Sequence, residues 1–428
     1  MLAETNQIIT GNYGLKDSHL LKTYQKHGGY LALEKALDRK PKDIIEEVKN
    51  SGLRGRGGAG FPAGLKWSFV PQDLDKPKYL CVNADESEPG TFKDRYIIEK
   101  DPHKLIEGTI IASYAIGCHL AFIYIRGEFL DGYEILIRAI DEAKKAGFLG
   151  KNILKKGYDL DIVVHRGAGA YICGEETGLI ESLEGKKGYP RLKPPFPAVV
   201  GVFDCPTVVN NVETLAAVPY IIVHGAKGYR KFGTEKSPGT KVFSVSGFIN
   251  KPGNYEVEMG LPFPDFLEKY LGGMRDGSQL KVVIPGGSST PFLKPNEVQD
   301  LKLDYESMAE KGTFLGSGGM IIYDQSVCMV RLSVLLAEFY AGESCGQCTP
   351  CREGSGWALK VLSGIYEGRG KISDIDLLLR VCDGMQGHTI CPLADALAMP
   401  LRSVLQKFRG EFESYINEGK RPQLVEEW

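Results

Sequence analysis

Apolar and polar positions follow three successive rhythms along this chain, and each predicts a different architecture. Up to about residue 235, apolar runs of strand length alternate with helical periodicity, as in an open α/β sheet. Residues Tyr13 to Lys49 read as helical, with Pro41–Lys49 as an amphipathic series ending near Gly52. Lys78–Ala84 is the first core strand; a helix over Ile106–Ile116, a stop at Gly117 and a strand at His119–Ile125 complete a β-α-β step. A helix over Asp131–Lys145, a strand at Tyr158–Val164 and a helix over Thr177–Leu183 follow. The proline-rich stretch Gly188–Pro197 predicts an ordered surface loop ending at Gly201. Thr207–Thr214 is expected to open a helix running to His224, with an asparagine as its cap.

The rhythm shifts after the glycine, lysine and proline stretch Lys227–Pro238. Val242–Gly247 and Gly253–Val257 flank Lys251-Pro252 as a hairpin, a short helix covers Pro264–Leu271, and strands follow at Lys281–Ile284 and Met320–Tyr323. A small β-grasp-like domain accounts for this pattern, with no chemistry visible in it. From Ser326 the periodicity is helical to the end: Ser326–Ala341, Glu353–Tyr366, Asp374–Met385, and Leu393 to about Tyr415 with a kink expected at Pro400. The predicted domains are therefore 1–235 (α/β), 236–325 (β-grasp) and 326–428 (helical bundle).

Composition narrows the class without naming it. The 428 residues carry 43% hydrophobic and 25% charged positions and a formal charge of −2, ordinary for a globular protein and unsuited to nucleic acid or an anionic membrane surface. Met1–Thr5 lacks the basic flank and apolar core of an export signal. Ten cysteines without such a signal fit a reducing compartment with ligand or buried thiols. Gly108–Ile125 runs eighteen residues without a formal charge, yet Ser113, Gly117 and His119 interrupt it, so it reads as buried helix plus strand rather than a membrane span.

The strongest chemical signal is Cys345-x2-Cys348-x2-Cys351 with Cys391-Pro392 downstream. A tight loop that offers three thiolates and a remote segment that offers a fourth match the ligand arithmetic of a [4Fe-4S] cubane. Zinc favours two paired knuckles, and the second is missing here; zinc and a disulfide remain the alternatives. Cys328 and Cys382 read as buried helical residues. The loop Gly52–Trp67 satisfies G-x-G-x-x-G at Gly55, Gly57 and Gly60, but a helix precedes it where the dinucleotide fingerprint needs a strand. Its glycines, a helix expected to start at Pro62, and Arg54, Arg56 and Lys66 would still favour phosphate; the alternative is a loop packed closely on a neighbour. Asn83 and the acidic turn Asp85–Gly90 stand at the carboxyl end of the first strand, where α/β sheets bind ligands. They suit a flavin edge or ribose hydroxyls, or else a solvated turn. Tyr171, Gly174 and the acids opening the Thr177 helix make a second candidate cofactor wall.

Taken together, these motifs resemble those of the NADH-binding flavoprotein subunits of respiratory complex I, the bacterial F subunits, over almost the whole chain. The match is carried by Gly52–Lys66, Asn83–Arg95, Ala170–Thr177, Val209–Thr214, and Glu343–Arg352 with Cys391. The resemblance implies a Rossmann-like FMN/NADH domain, a β-grasp (ubiquitin-like, SLBB-like) insert and a cluster-bearing helical bundle. It implies FMN contacts at Gly55, Gly57, Lys66, Asn83, Asp85, Glu86, Gly174, Glu175, Glu176, Asn210, Asn211 and Thr214. NADH would meet Gly58, Gly60, Phe61, Phe69, Glu88, Tyr171 and Phe196, with Phe61, Phe69 and Phe196 receiving the adenine. Cys345, Cys348, Cys351 and Cys391 would hold the [4Fe-4S] cluster. A flavin converts a two-electron hydride into single electrons, which explains the lack of any Ser/His/Asp or metal-water constellation. The acids Glu86, Glu88, Glu175 and Glu176 are expected to weaken NAD+ binding and tune the flavin. The implied partners are a small thioredoxin-like [2Fe-2S] subunit (E) and a large iron–sulfur subunit (G), in a cytoplasmic complex peripheral to the inner membrane. Flavoprotein subunits of soluble NAD-reducing hydrogenases and formate dehydrogenases share this core, so a diaphorase is the alternative assembly. A non-enzymatic zinc scaffold is the alternative of another class.

Overall fold

The computed structural model describes residues 7–418, so the Met1–Thr5 stretch read for an export signal lies outside the described residues. Four parallel strands form the first sheet: β1 (Tyr79–Ala84), β2 (Leu120–Ile125), β3 (Asp161–Arg166) and β4 (Thr207–Asn211), in the order β3-β2-β1-β4. Both faces of this sheet are covered, and the strand period of two divides its side chains between them. Leu80, Val82, Ala121, Ile123 and Val208 enter one core with the N-terminal helices. Cys81, Phe122 and Val209 enter the other, which they share with the C-terminal bundle.

The long uncharged segment divides as expected into helix and strand β2, but the helix is Pro102–Ile116, starting four residues before the expected Ile106, and is closed by Gly117 at φ +74°. Of its fifteen residues all but Tyr114 are buried, because the first sheet and the surrounding helices pack against it; that environment explains a hydrophobic run without a membrane. Gly108 permits the closest approach, since a Cβ there would lie 2.0 Å from the carbonyl oxygen of Leu215. No helix among the described residues is long and apolar enough to cross a membrane.

Several boundaries differ from expectation. Tyr13–Lys49 is three short helices, Leu21–Lys26, Leu31–Leu37 and Pro41–Ser51, separated by turns. Thr207–Asn211 is strand β4 rather than the start of a helix; Val-Val within it pairs with β1, and Asn211 then caps Val212–Ala216 with its side chain on the Glu213 N–H. The third strand begins at Asp161, later than the expected Tyr158, because Tyr158 turns inward. The helix after the glycine loop is only Ala63–Ser68, with Pro62 as its cap.

The second sheet, β5 (Thr240–Gly247), β6 (Gly253–Glu258), β7 (Leu280–Ile284) and β8 (Gly319–Asp324), has the order β6-β5-β8-β7. Strands β5 and β6 form the expected antiparallel hairpin, while β5 and β8 run parallel as the mixed central pair. Phe243, Phe263 and Phe266 centre its core. The C-terminal helices are Met329–Glu343, Thr349–Tyr366, Ile372–Met385, Leu393–Lys407 and Arg409–Glu418. The last predicted helix breaks at Phe408 and passes through Pro400 unbroken. Cys382 is buried as read, whereas Cys328 is the half-buried cap of the first of these helices.

Candidate functional site

The strand order places a topological switch at β1, whose neighbours β2 and β4 lie on opposite sides; the crevice beyond the carboxyl ends of such strands is where α/β sheets take ligands. Asn83 and Asn211 are register partners at those ends, and both line a cavity of about 600 Å³. That volume lies within the range of pockets that hold cofactors. Gly57, Gly58 and Ala59 of the glycine loop form one wall, and Tyr171, Gly174 and Glu175 another. Glu86, Glu88, Lys93 and Asp94 close it along the acidic turn. Two contributions come from outside the first sheet: Ser289, Tyr305 and Gly316 from the β-grasp unit, and Cys391, Pro392 and Leu393 from the bundle. A unit in which the sequence displayed no chemistry thus supplies a wall of the site.

Each acid in the cavity is held differently. The Glu86 carboxylate accepts the N–H groups of Asp94 (2.7 Å) and Arg95 (2.9 Å), capping the helix Lys93–Lys100 from outside. Burial, reinforced by Asp94, pushes it up to about 8. Asp85 lies beneath the cavity with no exposed surface and accepts from Ser87 Oγ at 2.9 Å, while its Oδ1 has no partner; burial raises it to about 7. Glu88 accepts from the Tyr171 hydroxyl at 2.7 Å and the Ser289 N–H at 2.8 Å, and burial raises it as well. Glu175 caps Glu176–Leu183 through the N–H groups of Thr177 and Gly178. Burial would raise Glu176, but Lys66 at 2.7 Å and Lys193 at 2.8 Å hold it below its usual range.

A fully buried ionic group underlies this site. Lys93 pairs with Asp94 (2.7 Å) and Glu213 (2.9 Å), and Glu213 also meets Lys241 at 3.2 Å. Burial pushes Lys241 down to about 7, against the pull of Glu213. Lys93 moves the other way, because Asp94 and Glu213 outweigh its burial.

Of the other residues singled out in the sequence, several support the cavity without lining it. Asn210 Oδ1 accepts from Trp67 Nε1 at 2.7 Å, and Thr214 Oγ1 accepts the Arg56 N–H at 2.9 Å. The Gly55 carbonyl accepts from the Tyr305 hydroxyl at 2.8 Å, and Gly60, at φ +66°, leaves room for the same ring. Phe61 and Phe69 sit with ring centroids 6.1 Å apart and largely exposed, and Phe196 is exposed on the proline-rich loop. Sequence reading missed Lys93, Asp94 and Tyr305. It also missed Ser288 and Ser289, although Gly286-Gly287 beside them was a usable signal: a Cβ on Gly287 would lie 2.4 Å from Glu88 Cγ.

The four cysteines pack in one core with the bundle. Gly346 at φ +79° makes the turn between the first two, and Cys351 falls in the first turn of Thr349–Tyr366. Ser344 Oγ lies 3.3 Å from Cys351 Sγ, and the Ile390 N–H donates to Cys348 Sγ at 3.4 Å, drawing the Cys391 segment across the loop. Burial pushes Cys391 up to about 12, with the thiols of Cys345 and Cys351 adding to the rise. Cys351 is buried and Cys345, Cys348 and Cys391 are half-buried; thiolate ligands gathered in one place call for a cationic centre among them, and an iron–sulfur cluster supplies it. Among the described residues no group of three or more His, Cys, Asp or Glu stands close enough to hold a metal ion. The cavity likewise fits a flavin nucleotide: it has the volume, glycine backbone on one wall, and amide side chains at the strand ends.

Comparison with known proteins separates the alternatives. Residues 48–220 match the profile of the Nuo51 FMN-binding domain, residues 241–322 that of the SLBB domain, and residues 333–415 that of the NADH-ubiquinone oxidoreductase-F iron-sulfur binding region. The NADH-quinone oxidoreductase F 2 subunit of Rhizobium meliloti (strain 1021) is 51% identical over 416 residues, 97% of this chain and 99% of that protein. The NADH-quinone oxidoreductase F subunit of Rickettsia conorii (strain ATCC VR-613 / Malish 7) is 52% identical over 417 residues, again 97% and 99%. Among solved structures, NAD+-reducing [NiFe]-hydrogenase in the H2-reduced state matches with a TM-score of 0.84 at 35% identity, over 93% of this chain and 66% of that one. The iron–sulfur and FMN-binding profiles set aside the zinc scaffold.

Proposed function

The chain belongs to the family of NADH-quinone oxidoreductase F subunits, and from that premise we propose that it oxidises NADH in the 600 Å³ cavity and passes electrons singly to a cluster held by Cys345, Cys348, Cys351 and Cys391. One observation carries this reading: Cys391 and Pro392 line the same cavity as Gly57, Asn83 and Asn211. A flavin bound there supplies the hydride acceptor and the exchange from two electrons to one. The chain's own residues bind, orient and insulate. The Gly57–Ala59 backbone is open to the close approach of a nucleotide, and Asn83 and Asn211 offer amide groups to a heterocycle edge. Asn83 Nδ2 donates to the Gly174 carbonyl at 2.8 Å, which fixes one wall against the other. Glu88, locked by Tyr171 and Ser289, gives the nicotinamide side a fixed acidic edge. Lys66 and Lys193 keep Glu176 ionised beside the cavity. The family resemblance assigns Phe61, Phe69 and Phe196 to the adenine, and their exposed aromatic faces suit a stacked base.

The three profile matches fall inside the proposed divisions 1–235, 236–325 and 326–428. A thioredoxin-like [2Fe-2S] subunit and a large iron–sulfur subunit are the proposed partners. Trp357 is 59% exposed and Leu335 45% exposed on the cluster-bearing bundle, apolar positions that suit docking. Attachment to the inner membrane, on its cytoplasmic face, would then run through those partners towards quinone. A diaphorase in a soluble hydrogenase is the second reading, favoured by the structural likeness to the NAD+-reducing enzyme. Purification from the native source separates the two: quinone-reducing iron–sulfur and membrane subunits should accompany the chain, and a nickel-containing subunit in their place would select the diaphorase. Flavin and iron content, with the rate of bleaching by NADH, tests the shared core of both.

A further inference from the structure

The last turn of the helix Met329–Glu343 grips Tyr171 from three directions. The Phe339 and Tyr340 rings stand edge-on to it, with centroids 5.3 and 5.8 Å away, and Glu343 Oε2 accepts the Tyr171 N–H at 2.9 Å. The Tyr171 hydroxyl in turn donates to Glu88 at 2.7 Å, so one residue joins the cavity's acidic edge to the helix end. Tyr340 reaches the same carboxylate by a second route, through Ser288 Oγ at 2.7 Å and on to Glu88 at 3.3 Å. Immediately beyond Glu343 come Ser344, whose hydroxyl lies 3.3 Å from Cys351 Sγ, and Cys345 itself. The cavity wall and the cysteine loop thus share one short, doubly braced connection.

We propose that Glu343 is a positioning residue that couples nucleotide occupation of the cavity to the cluster, by bonding the Tyr171 backbone on one side and setting the start of the cysteine loop on the other. The inference rests on the proposed reading of the cavity and the cysteines. A nucleotide that packs on Tyr171 and Glu88 loads this connection and changes the setting of the loop. Linkage makes the effect reciprocal: whatever a nucleotide does to the cluster's midpoint potential, cluster reduction does to nucleotide affinity.

The test uses the holoprotein with flavin and iron verified, and ADP-ribose, a nucleotide that has no reducible ring. The cluster is titrated potentiometrically by electron paramagnetic resonance, with and without saturating ADP-ribose. A fivefold or greater affinity difference between cluster states is expected, equivalent to about 40 mV for one electron. Glu343→Gln keeps an acceptor oxygen and should keep the shift. Glu343→Ala removes the acceptor, and Glu343→Asp withdraws it while retaining the charge; both should lose most of the shift. An unchanged shift in Glu343→Ala, or ADP-ribose binding without any shift in the parent protein, overturns the coupling alone. A parent protein that binds no ADP-ribose overturns the functional reading with it. If Glu343→Ala does not retain iron, Glu343→Asp decides, and loss of iron in both makes Glu343 a structural anchor and overturns the coupling.

Discussion

Alanine at Gly57 should strip the protein of its flavin by a mechanism that the neighbouring side chain makes quantitative. A Cβ at position 57 would lie 2.8 Å from Asn211 Cβ and 3.1 Å from its Cγ. Asn211 has little freedom to yield: its Nδ2 donates to Asp94 at 2.6 Å, and its Oδ1 accepts the Glu213 N–H at 3.0 Å as a helix cap. Overpacking of this kind costs about 1–3 kcal/mol, and a disturbed cap about 0.5–2 kcal/mol. With about 2 kcal/mol of strain relieved only when the loop swings away, the FMN dissociation constant rises about thirtyfold. Gly174→Ala is the control, because a Cβ there meets only Asp85 Oδ2, at an ordinary 3.5 Å. Its methyl group intrudes on the cavity without straining the chain. Cofactor-free protein would be titrated with FMN by fluorescence quenching and unfolded in urea. Gly57→Ala should lose affinity and lower the urea midpoint, whereas Gly174→Ala should lose affinity with stability within about 0.5 kcal/mol of the parent. A Gly57→Ala protein that binds FMN within twofold of the parent, at an unchanged midpoint, would refute the idea that the contact with Asn211 shapes the cavity.

Other consequences can be checked with the same preparations. Trp67→Phe removes the donor to buried Asn210 Oδ1 and should destabilise the protein by about 1–3 kcal/mol in urea unfolding; no measurable loss would show that the bond is dispensable. Asp85, raised to about 7 by burial, binds a proton in the folded state that the unfolded chain releases near pH 4. Its contribution is complete below that pH and disappears as pH rises towards 7, an effect of about 4 kcal/mol. Asp85→Asn should therefore flatten the fall in stability of the cofactor-free protein between pH 5 and 7.5, and an unchanged slope counts against the buried, protonated Asp85. Lys193→Met leaves Glu176 with Lys66 alone and should weaken nucleotide binding severalfold, as read by fluorescence titration. Identical affinity in that variant would remove the pair from the site.

The large features were legible because they follow from periodicity. Most of the buried helix Pro102–Ile116 and strand β2 were readable from a run without formal charge, Gly108–Ile125, that a glycine at position 117 divides, and the cysteine loop from its spacing. Strand β4 was hidden because Asn210-Asn211 looked like a cap following a short Val-Val pair; Asn211 is indeed the cap, and only pairing with β1 identifies Thr207–Asn211 as the strand before it. Lys93, Asp94 and Glu213 could not be found in the sequence, since a buried ionic group has no local pattern and its members come from distant parts of the chain. The β-grasp contribution was invisible for the same reason: Ser288, Ser289 and Tyr305 acquire meaning only when packed against Glu88 and Gly55. The helix expected to run from Leu393 to about Tyr415 with a kink at Pro400 instead carries Pro400 inside Leu393–Lys407 and ends at Phe408.

The central claim is that one polypeptide holds a flavin and a cubane close enough to exchange electrons, and anaerobic reduction by NADH tests it most directly. Purified protein would be mixed with NADH, frozen at intervals, and followed by flavin absorbance and electron paramagnetic resonance. About four iron atoms and one flavin per chain are expected, with flavin bleaching followed by a reduced-cluster signal. In Cys391→Ser the signal should vanish while bleaching persists. Bleaching without any cluster signal in the parent protein, or a preparation that carries flavin but never iron, would contradict it.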